Sequence, residues 1–289
     1  MSKITNMEDL DKYYKKLSKE SLKVVLTMAS PIVLPTHFLH FDAILTDLIA
    51  KRFFGDEGNR WNSFESHINI PLPLKQYGKQ QKVWQSSIAY TRGLMKDYES
   101  MWTRKPFDKY AGDKSNGVIW GEGVLSNEQI KAGTVTFEKD FIKTNARESG
   151  PYRSFFETRY VRRAEEVIFF VNGNQEAIET LLKDLHFIGK KRGIGFGEIA
   201  YINIEENEND YSLIDMDGSP SRVIPLSEAD KLNIDESKKN ILLYPYIPAY
   251  ANIKNRVMCI APSSNLPHIQ ENIIDEEDEF DEEDEIYFV

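Results

Sequence analysis

Apolar residues follow two patterns in the first part of the chain. Residues Leu22–Met28 form a short apolar run, which predicts a buried strand that Pro31 and Pro35 bring to an end. The next stretch, Leu39–Phe53, has apolar residues at helical spacing: Phe41, Ile44, Leu45, Leu48 and Ile49. Asp42 lies in the first turn, where a negative charge suits the helix dipole. The pattern therefore predicts a strand followed by a helix.

A second strand and helix are predicted further along the chain. Glu166–Val171 is an apolar run typical of a strand, and Asn174 is a good N-cap for the helix that follows. That helix carries an apolar stripe: Ala177, Ile178, Leu181, Leu182 and Leu185. We expect Gly189 to end it as a C-cap. Ile199–Ile204 then alternates as a strand does.

The order of these elements predicts an α+β protein. It fits a ferredoxin-like (RRM-like) β-α-β-β-α-β core that carries a large insertion and a glycine-rich loop. Its domain would span 21–262, with the insertion at about 55–160, after an arm or helix at 1–20. The polar stretch 205–240 is expected to be mostly loop. One or two strands are expected near the C-terminus, from three segments: Arg222–Leu226, Tyr244–Tyr250 and Arg256–Ile260.

The net charge of the chain is concentrated at its end. The 289 residues carry a net charge of −10, and residues 275–285 contain ten acids in eleven positions. Without those ten carboxylates the rest is neutral, which leaves room for a local basic face. We expect residues 263–289 to be a disordered acidic tail.

Composition excludes several kinds of protein. The single Cys259 allows no intrachain disulfide, and the histidines are too scattered to favour a structural zinc site. No apolar run of about eighteen residues is present, and the N-terminus has no apolar signal core. We therefore expect a cytoplasmic protein with no cofactor, no metal and no membrane partner.

The segment from Gly189 to Gly197 is the strongest functional signal. It combines four glycines with three adjacent cations and one aromatic: Gly189, Lys190, Lys191, Arg192, Gly193, Gly195, Phe196 and Gly197. It follows a predicted helix and precedes a strand, the reverse of a Rossmann fingerprint, and it lacks the Walker Gly-Lys-Ser/Thr. Glycine amides can approach phosphates closely, and the cations neutralise them, so we predict a clamp for RNA or DNA. Phe196 would stack on a base or lie in the core. The alternative is a helix cap and a bulged strand with exposed cations.

Two short motifs together resemble the RAMP superfamily of CRISPR-associated proteins. The loop within Leu185–Ile199 is similar to the glycine-rich loop of that superfamily, and Ser30–Pro35 with Leu39–Ala50 is similar to its first strand and helix. Within the superfamily, the chain most resembles the subunit that caps the 5′ handle of the guide RNA in type IV effector complexes. This resemblance implies an RNA-binding, non-catalytic subunit of a ribonucleoprotein complex that acts in antiviral defence. Its partners would be guide RNA, other Cas subunits and double-stranded target DNA.

Basic residues outside the loop extend the predicted nucleic-acid surface. Aromatics are interleaved with an arginine cluster of which four members are RNA-binding candidates: Arg153, Arg159, Arg162 and Arg163. The alternative is a strand pair with solvated charges. The resemblance also implies that the middle insertion approaches DNA next to the target, and its candidate contacts are Lys75, Lys79, Lys82 and Arg92.

Two other functions remain open on the sequence alone. Some RAMP proteins are guide-processing endoribonucleases that use a histidine as general acid or base, and His37 and His40 flank the first helix. The acidic tail ends in Ile286–Val289, and acids followed by terminal hydrophobic residues resemble the partner-docking tails of single-stranded DNA-binding proteins.

Overall fold

The computed structural model describes residues 6–33, 37–55, 70–104, 108–109, 118–119, 155–232, 234–250 and 252–269. The chain divides into two compact units, one formed by 1–95 with 163–289 and the other by 96–162. The acidic tail and most of the predicted insertion lie outside the described residues.

A four-stranded antiparallel sheet forms the centre of the first unit. Its strands are β1 (Glu20–Met28), β5 (Tyr90–Arg92), β10 (Glu166–Gly173) and β11 (Ile199–Glu206). Their order across the sheet is β11-β1-β10-β5, and every neighbouring pair is antiparallel. Between β1 and β5 the chain also forms β2 (Ile32–Val33), β3 (Gln76–Tyr77) and β4 (Val83–Trp84), of which β3 and β4 pair as a hairpin.

Helices cover one face of this sheet. They are α1 (Met7–Lys16), α2 (Phe41–Phe54) and α3 (Gln175–Leu182). Asn174 caps α3, because its side chain accepts a hydrogen bond from the Ala177 amide at 3.0 Å. The apolar run of β1 alternates, so that Leu22, Val24 and Leu26 are fully buried in the main core beneath the helices. Burying a side chain of this size contributes about 1.5–3 kcal/mol.

A second, three-stranded sheet completes the first unit. Its order is β12-β14-β13, with strands β12 (Ile224–Pro225), β13 (Asn240–Pro245) and β14 (Arg256–Ala261), and the one-turn helix α4 (Leu226–Ala229) follows β12. The second unit contains β6 (Lys96–Arg104) and most of β9 (Phe155–Arg163), which are neighbours in one sheet, and the pair β7 (Asp108–Lys109) and β8 (Val118–Ile119).

The prediction of a mixed helix and strand fold is confirmed, with antiparallel sheets. One local prediction is wrong. Helix α3 ends at Leu182, with Lys183 as its C-cap, so Gly189 does not cap it. The stretch 205–240 is mostly loop, as predicted, and β12 lies within the predicted strand segment Arg222–Leu226. The sequence does not predict α4 or the complete burial of Arg222 and Val223.

Candidate nucleic-acid interface

The glycine-rich loop is a narrow hairpin with a turn of 3-10 helix at its tip. The Ile188 amide donates to the Gly197 carbonyl at 2.8 Å, and the Ile199 amide donates to the His186 carbonyl at 3.0 Å. Between these rungs, Arg192–Ile194 forms the 3-10 turn. The cations therefore lie at and beside the tip of a closed loop.

The base of the loop is fixed against the segment that follows β1. The Gly197 amide donates to the Pro31 carbonyl at 2.9 Å, and Lys190 forms an antiparallel bridge with Val33. The Glu198 amide donates to the Ser30 hydroxyl at 2.8 Å. The two segments on which the family resemblance rests are thus in direct contact.

Two of the four glycines are required by the fold itself. Gly197 has φ +72°, and a Cβ there would lie 1.9 Å from the Ile188 carbonyl oxygen. Gly189 has φ +77°, and its Cβ would lie 2.9 Å from the Ile32 Cγ1 atom. Neither position accepts a side chain without a shift of the neighbouring residue.

The two glycines at the tip face open space. Gly195 has φ +90°, which favours glycine, but no atom lies within 4 Å of the position its Cβ would take. Gly193 has neither a positive φ nor any atom within 4 Å of that position. The fold therefore gives no reason for a glycine at 193. Its effect is to leave the backbone open beside the exposed Arg192.

The remaining loop residues differ in exposure. Lys190, Lys191 and Phe196 are half-buried, whereas Ile194 is 60% exposed. Lys191 has a left-handed φ of 61°, which is uncommon for a residue with a side chain. Base stacking by Phe196 stays a prediction.

The arginines of the predicted cluster differ in exposure and in ion pairing, and they belong to different units. Arg162 in the second unit forms a two-pronged ion pair with Asp97, with both N–O distances at 2.7 Å, and its side chain is only 13% exposed. Arg159 is half-buried in the same unit, and Arg163 is exposed in the first. Arg153 lies outside the described residues. Arg163 is thus the most accessible of the three described members.

The candidate DNA contacts do not form one surface. Lys75 and Lys82 line the same cleft, near the end of the sheet where β1 begins, and Lys79 lies in the β3–β4 turn. Arg92 instead pairs with Glu166, 2.5 Å away, at the end where β1 finishes. The nine residues of β1 separate these ends by roughly 26 Å.

The two histidines of the ribonuclease alternative are in different environments. His40 is fully buried and stacks on Tyr250, with ring centroids 4.4 Å apart and planes 8° from parallel. Burial, helped by the charge of Arg222, lowers the pKa of His40 well below its ordinary value. An RNA substrate in solvent cannot reach this ring. His37 is exposed beside Tyr244.

The structure contains a buried ionic cluster that the sequence alone does not predict. Arg222 and Asp42 are both fully buried, and the guanidinium lies 3.2 Å from the Asp42 carboxylate. The Tyr250 hydroxyl donates to the same carboxylate at 2.9 Å. Burial raises the pKa of Asp42, although Arg222 and Tyr250 act in the opposite direction. Asp42 therefore holds Arg222, and its role is not that of a solvated charge at a helix dipole. No local sequence signal connects positions 180 residues apart.

Comparison with known proteins decides the family. A sequence model described as CRISPR type IV associated protein Csf3 matches residues 20–238, which is most of the chain. The chain belongs to the Csf3 family. The resemblance to a type IV CRISPR-associated protein, stated above from two motifs, is confirmed.

Other comparisons add little. No curated protein matches the sequence. Among solved structures, the chain is similar to one in the cryo-EM structure of the Type III-B Cmr-beta bound to cognate target RNA. The identity is 10% and the TM-score 0.27, with 69% of this chain and 65% of that chain covered. The chain thus spans less than two thirds of that relative, and a similarity this low carries no argument.

The described residues contain neither a metal-binding cluster nor a membrane-spanning helix. Within the described residues, no group of three or more His, Cys, Asp or Glu side chains is placed to hold a metal ion. In the same part of the chain, no helix is both long and apolar enough to span a membrane.

Proposed function

We propose that this Csf3-family chain is an RNA-binding structural subunit of a type IV CRISPR effector complex that holds the 5′ handle of the guide RNA. The observation that carries the proposal is the open tip of the glycine-rich loop. Gly193 lacks a side chain that the fold would tolerate, and the exposed Arg192 lies next to it. A bare backbone beside a cation suits a phosphate chain, because amides and charge reach the oxygens together.

In this proposal the loop grips the RNA backbone. The Ile194 and Gly195 amides already donate within the turn, to the Lys191 and Arg192 carbonyls. The Arg192 and Gly193 amides would therefore donate to phosphate oxygens, while Lys190, Lys191 and Arg192 neutralise their charge. Arg163, which belongs to the same unit as the loop, extends the contact, and Phe196 packs on a base. RNA binding by Arg159 and Arg153 stays a separate prediction. Arg162 contributes less, because Asp97 already neutralises it. Affinity comes mainly from phosphates and falls with salt.

We further propose that the four-stranded sheet is a ferredoxin-like core. The strand order β11-β1-β10-β5 supports this, since the four strands taken along the chain give the order 4-1-3-2. Helix α2 follows the first of them and α3 the third, as the β-α-β-β-α-β unit requires. The domain limits 21–262 belong to the same proposal.

The complex would form in the cytoplasm with other Cas subunits. Contact with DNA next to the target, through Lys75, Lys79, Lys82 and Arg92, stays a prediction. Arg92 is the weakest of these candidates, because it is paired with Glu166.

The proposal is tested by a triple substitution in the loop: Lys190→Ala, Lys191→Ala and Arg192→Ala. The matched control removes three exposed cations elsewhere: Lys12→Ala, Lys16→Ala and Lys183→Ala. We expect the loop variant to bind guide RNA at least tenfold more weakly than the control, with thermal unfolding unchanged. The slope of log K against log salt should also fall by about 2, since each single-strand phosphate contact contributes about 0.7. Equal affinity of the two variants would make the loop structural.

A further inference from the structure

A cleft of about 800 Å³ lies in the first unit, away from the glycine-rich loop. Its walls are α1, the segment Ile70–Gln76, the β3–β4 hairpin and residues 246–249 with Asn252 and Asn255. The volume falls within the range of about 300–1,000 Å³ typical of small-molecule and cofactor sites. The hairpin and the segment before it place the cleft where β1 begins, because Leu74 bridges Gly173, the partner of Glu20.

The cleft has an excess of positive charge. Lys19, Lys75 and Lys82 line it, and none of the three has a carboxylate partner among the described residues. Lys15 is neutralised by Asp11 at 2.5 Å, and Glu8 adds one further carboxylate. Two carboxylates thus face four cations, which favours an anionic ligand.

The environment of Lys19 also favours an anionic ligand. Its ammonium donates to the backbone carbonyls of Tyr14 at 2.9 Å and Leu17 at 3.2 Å, and it is half-buried. Burial lowers the pKa of Lys19. A bound anion would favour the charged ammonium of Lys19 and so offset the cost of its desolvation.

Two aromatic residues lie in the same cleft as the cations. Trp84 and Tyr246 are half-buried and line it. The buried Arg222 donates to the carbonyls of both residues, at 3.0 Å for Tyr246. Because Asp42 in turn holds Arg222, the backbone at both aromatics is fixed before any ligand arrives.

The hairpin wall is also held in place. The Glu228 carboxylate accepts hydrogen bonds from the amides of Lys79 at 3.0 Å, Gln80 at 2.8 Å and Gln81 at 3.1 Å. Gln80 and Lys82, which line the cleft, are therefore carried on an ordered turn. Further carboxamides complete the lining: Gln76, Asn252 and Asn255. Carboxamides both donate and accept, as the edges of nucleobases do.

We propose that this cleft binds an unpaired nucleotide of single-stranded nucleic acid, with its base against Trp84 and Tyr246 and its phosphate among Lys19, Lys75 and Lys82. Aromatic faces beside a basic wall are how proteins hold single strands. A base within a duplex cannot enter a cleft of this kind, because its faces are stacked and its edge is paired. The site and the glycine-rich loop lie near opposite ends of β1, whose nine residues span roughly 26 Å.

The direct test is site-specific photocrosslinking of the full chain. A six-nucleotide RNA carrying 4-thiouridine and a matching DNA carrying 4-thiothymidine are irradiated with the protein, and the crosslinked residues are identified by mass spectrometry. We expect a crosslink at Trp84 or Tyr246 that unlabelled oligonucleotide displaces. The oligonucleotide that crosslinks shows whether the natural ligand of the cleft is RNA or DNA.

Substitutions make the test quantitative. Lys75→Ala with Lys82→Ala should weaken oligonucleotide binding about tenfold, whereas the control Lys16→Ala with Lys183→Ala should leave it unchanged. Trp84→Leu should weaken binding at least fivefold, because stacking on an aromatic is worth about 1–3 kcal/mol per base. If Trp84→Leu does not fold, the affinity of the variant Lys75→Ala with Lys82→Ala still decides the test.

The outcome separates this proposal from the one for the glycine-rich loop. The crosslink should persist in the variant with Lys190, Lys191 and Arg192 replaced by alanine. If neither oligonucleotide crosslinks in the cleft while guide RNA still binds the intact loop, the cleft proposal is overturned and the handle proposal stands. The cleft proposal would also be overturned if the variant Lys75→Ala with Lys82→Ala bound the oligonucleotide as tightly as the control variant Lys16→Ala with Lys183→Ala.

Discussion

The four glycines of the loop lack side chains for different physical reasons. At Gly197 a methyl group would meet the Ile188 carbonyl, whereas at Gly193 it would meet nothing. Stability therefore explains the first glycine, whereas the fold gives no reason for the second. The proposed phosphate contact supplies such a reason for Gly193.

We predict that two alanine substitutions in the loop affect different properties, one the stability of the fold and the other RNA binding. Gly197→Ala should lower the free energy of unfolding by at least about 2 kcal/mol, because a left-handed backbone costs a residue with a side chain about 1–3 kcal/mol before the clash is added. Gly193→Ala should change it by less than about 0.5 kcal/mol, as open surface sites do. Urea denaturation measures both. Gly193→Ala should nevertheless weaken guide RNA binding, and unchanged binding would remove the reason to see a phosphate site at the tip.

Arg222 organises the core at the residue scale. Its guanidinium contacts Asp42, Tyr250 and the carbonyls of Trp84, Ser86 and Tyr246. Arg222→Met should cost about 3–5 kcal/mol in urea denaturation, because it leaves the Asp42 carboxylate buried without its charge partner.

A double substitution checks the cause of that loss. Arg222→Met with Asp42→Leu removes both charges, so it should recover part of the stability that Arg222→Met alone loses. A double variant less stable than the single one would show that Asp42 is not the group left unsatisfied.

At the scale of elements, Glu228 couples α4 to the β3–β4 turn. Three backbone amides hold the pKa of this carboxyl below its ordinary value of 4.5. A lowered pKa in the folded state means that the stabilisation is present above pH 4.5 and is lost as the pH falls through the folded value. Glu228→Gln should therefore melt at a lower temperature at pH 7 and lose less on acidification to pH 3.5 than the unsubstituted protein. Glu208→Gln, at an exposed position, is the control, and equal pH profiles for the two variants would contradict this role of Glu228.

Elements with local apolar patterns could be predicted, and elements without them could not. Strands β1, β10 and β11 and helix α2 match their predicted positions closely, because each buries an apolar face that its own sequence displays. The end of α3 differs from the prediction, because Gly189 is not a helix cap: it lies in the glycine-rich loop with a positive φ, where a Cβ would approach Ile32 too closely. The buried Arg222 lies in a polar stretch, and its partners are distant in sequence.

The candidate site shows the same division. The loop could be found because its glycines and cations are consecutive. The cleft could not, because it is assembled from α1, the β3–β4 hairpin and residues 246–249, which approach one another only through the fold. Lys75 and Lys82 were singled out as cations, but nothing in the sequence placed them beside Trp84 and Tyr246.

At the scale of the whole molecule, an acidic chain is proposed to bind an acidic ligand. The charge of −10 is accounted for by ten carboxylates within 275–285, so the remainder is neutral and can carry basic sites. The loop lies at one end of β1 and the cleft at the other. Two separate contacts with nucleic acid, one for a backbone and one for a base, are thus compatible with the sequence and the fold.

The most direct measurement compares the affinity of the purified chain for guide RNA with and without its 5′ handle, in the unsubstituted protein and in the triple loop variant. We expect removal of the handle to weaken binding at least tenfold in the unsubstituted protein, with little further loss in the triple variant. Equal affinity of the unsubstituted protein for the two RNAs would contradict the claim that this chain holds the handle through the loop from Gly189 to Gly197.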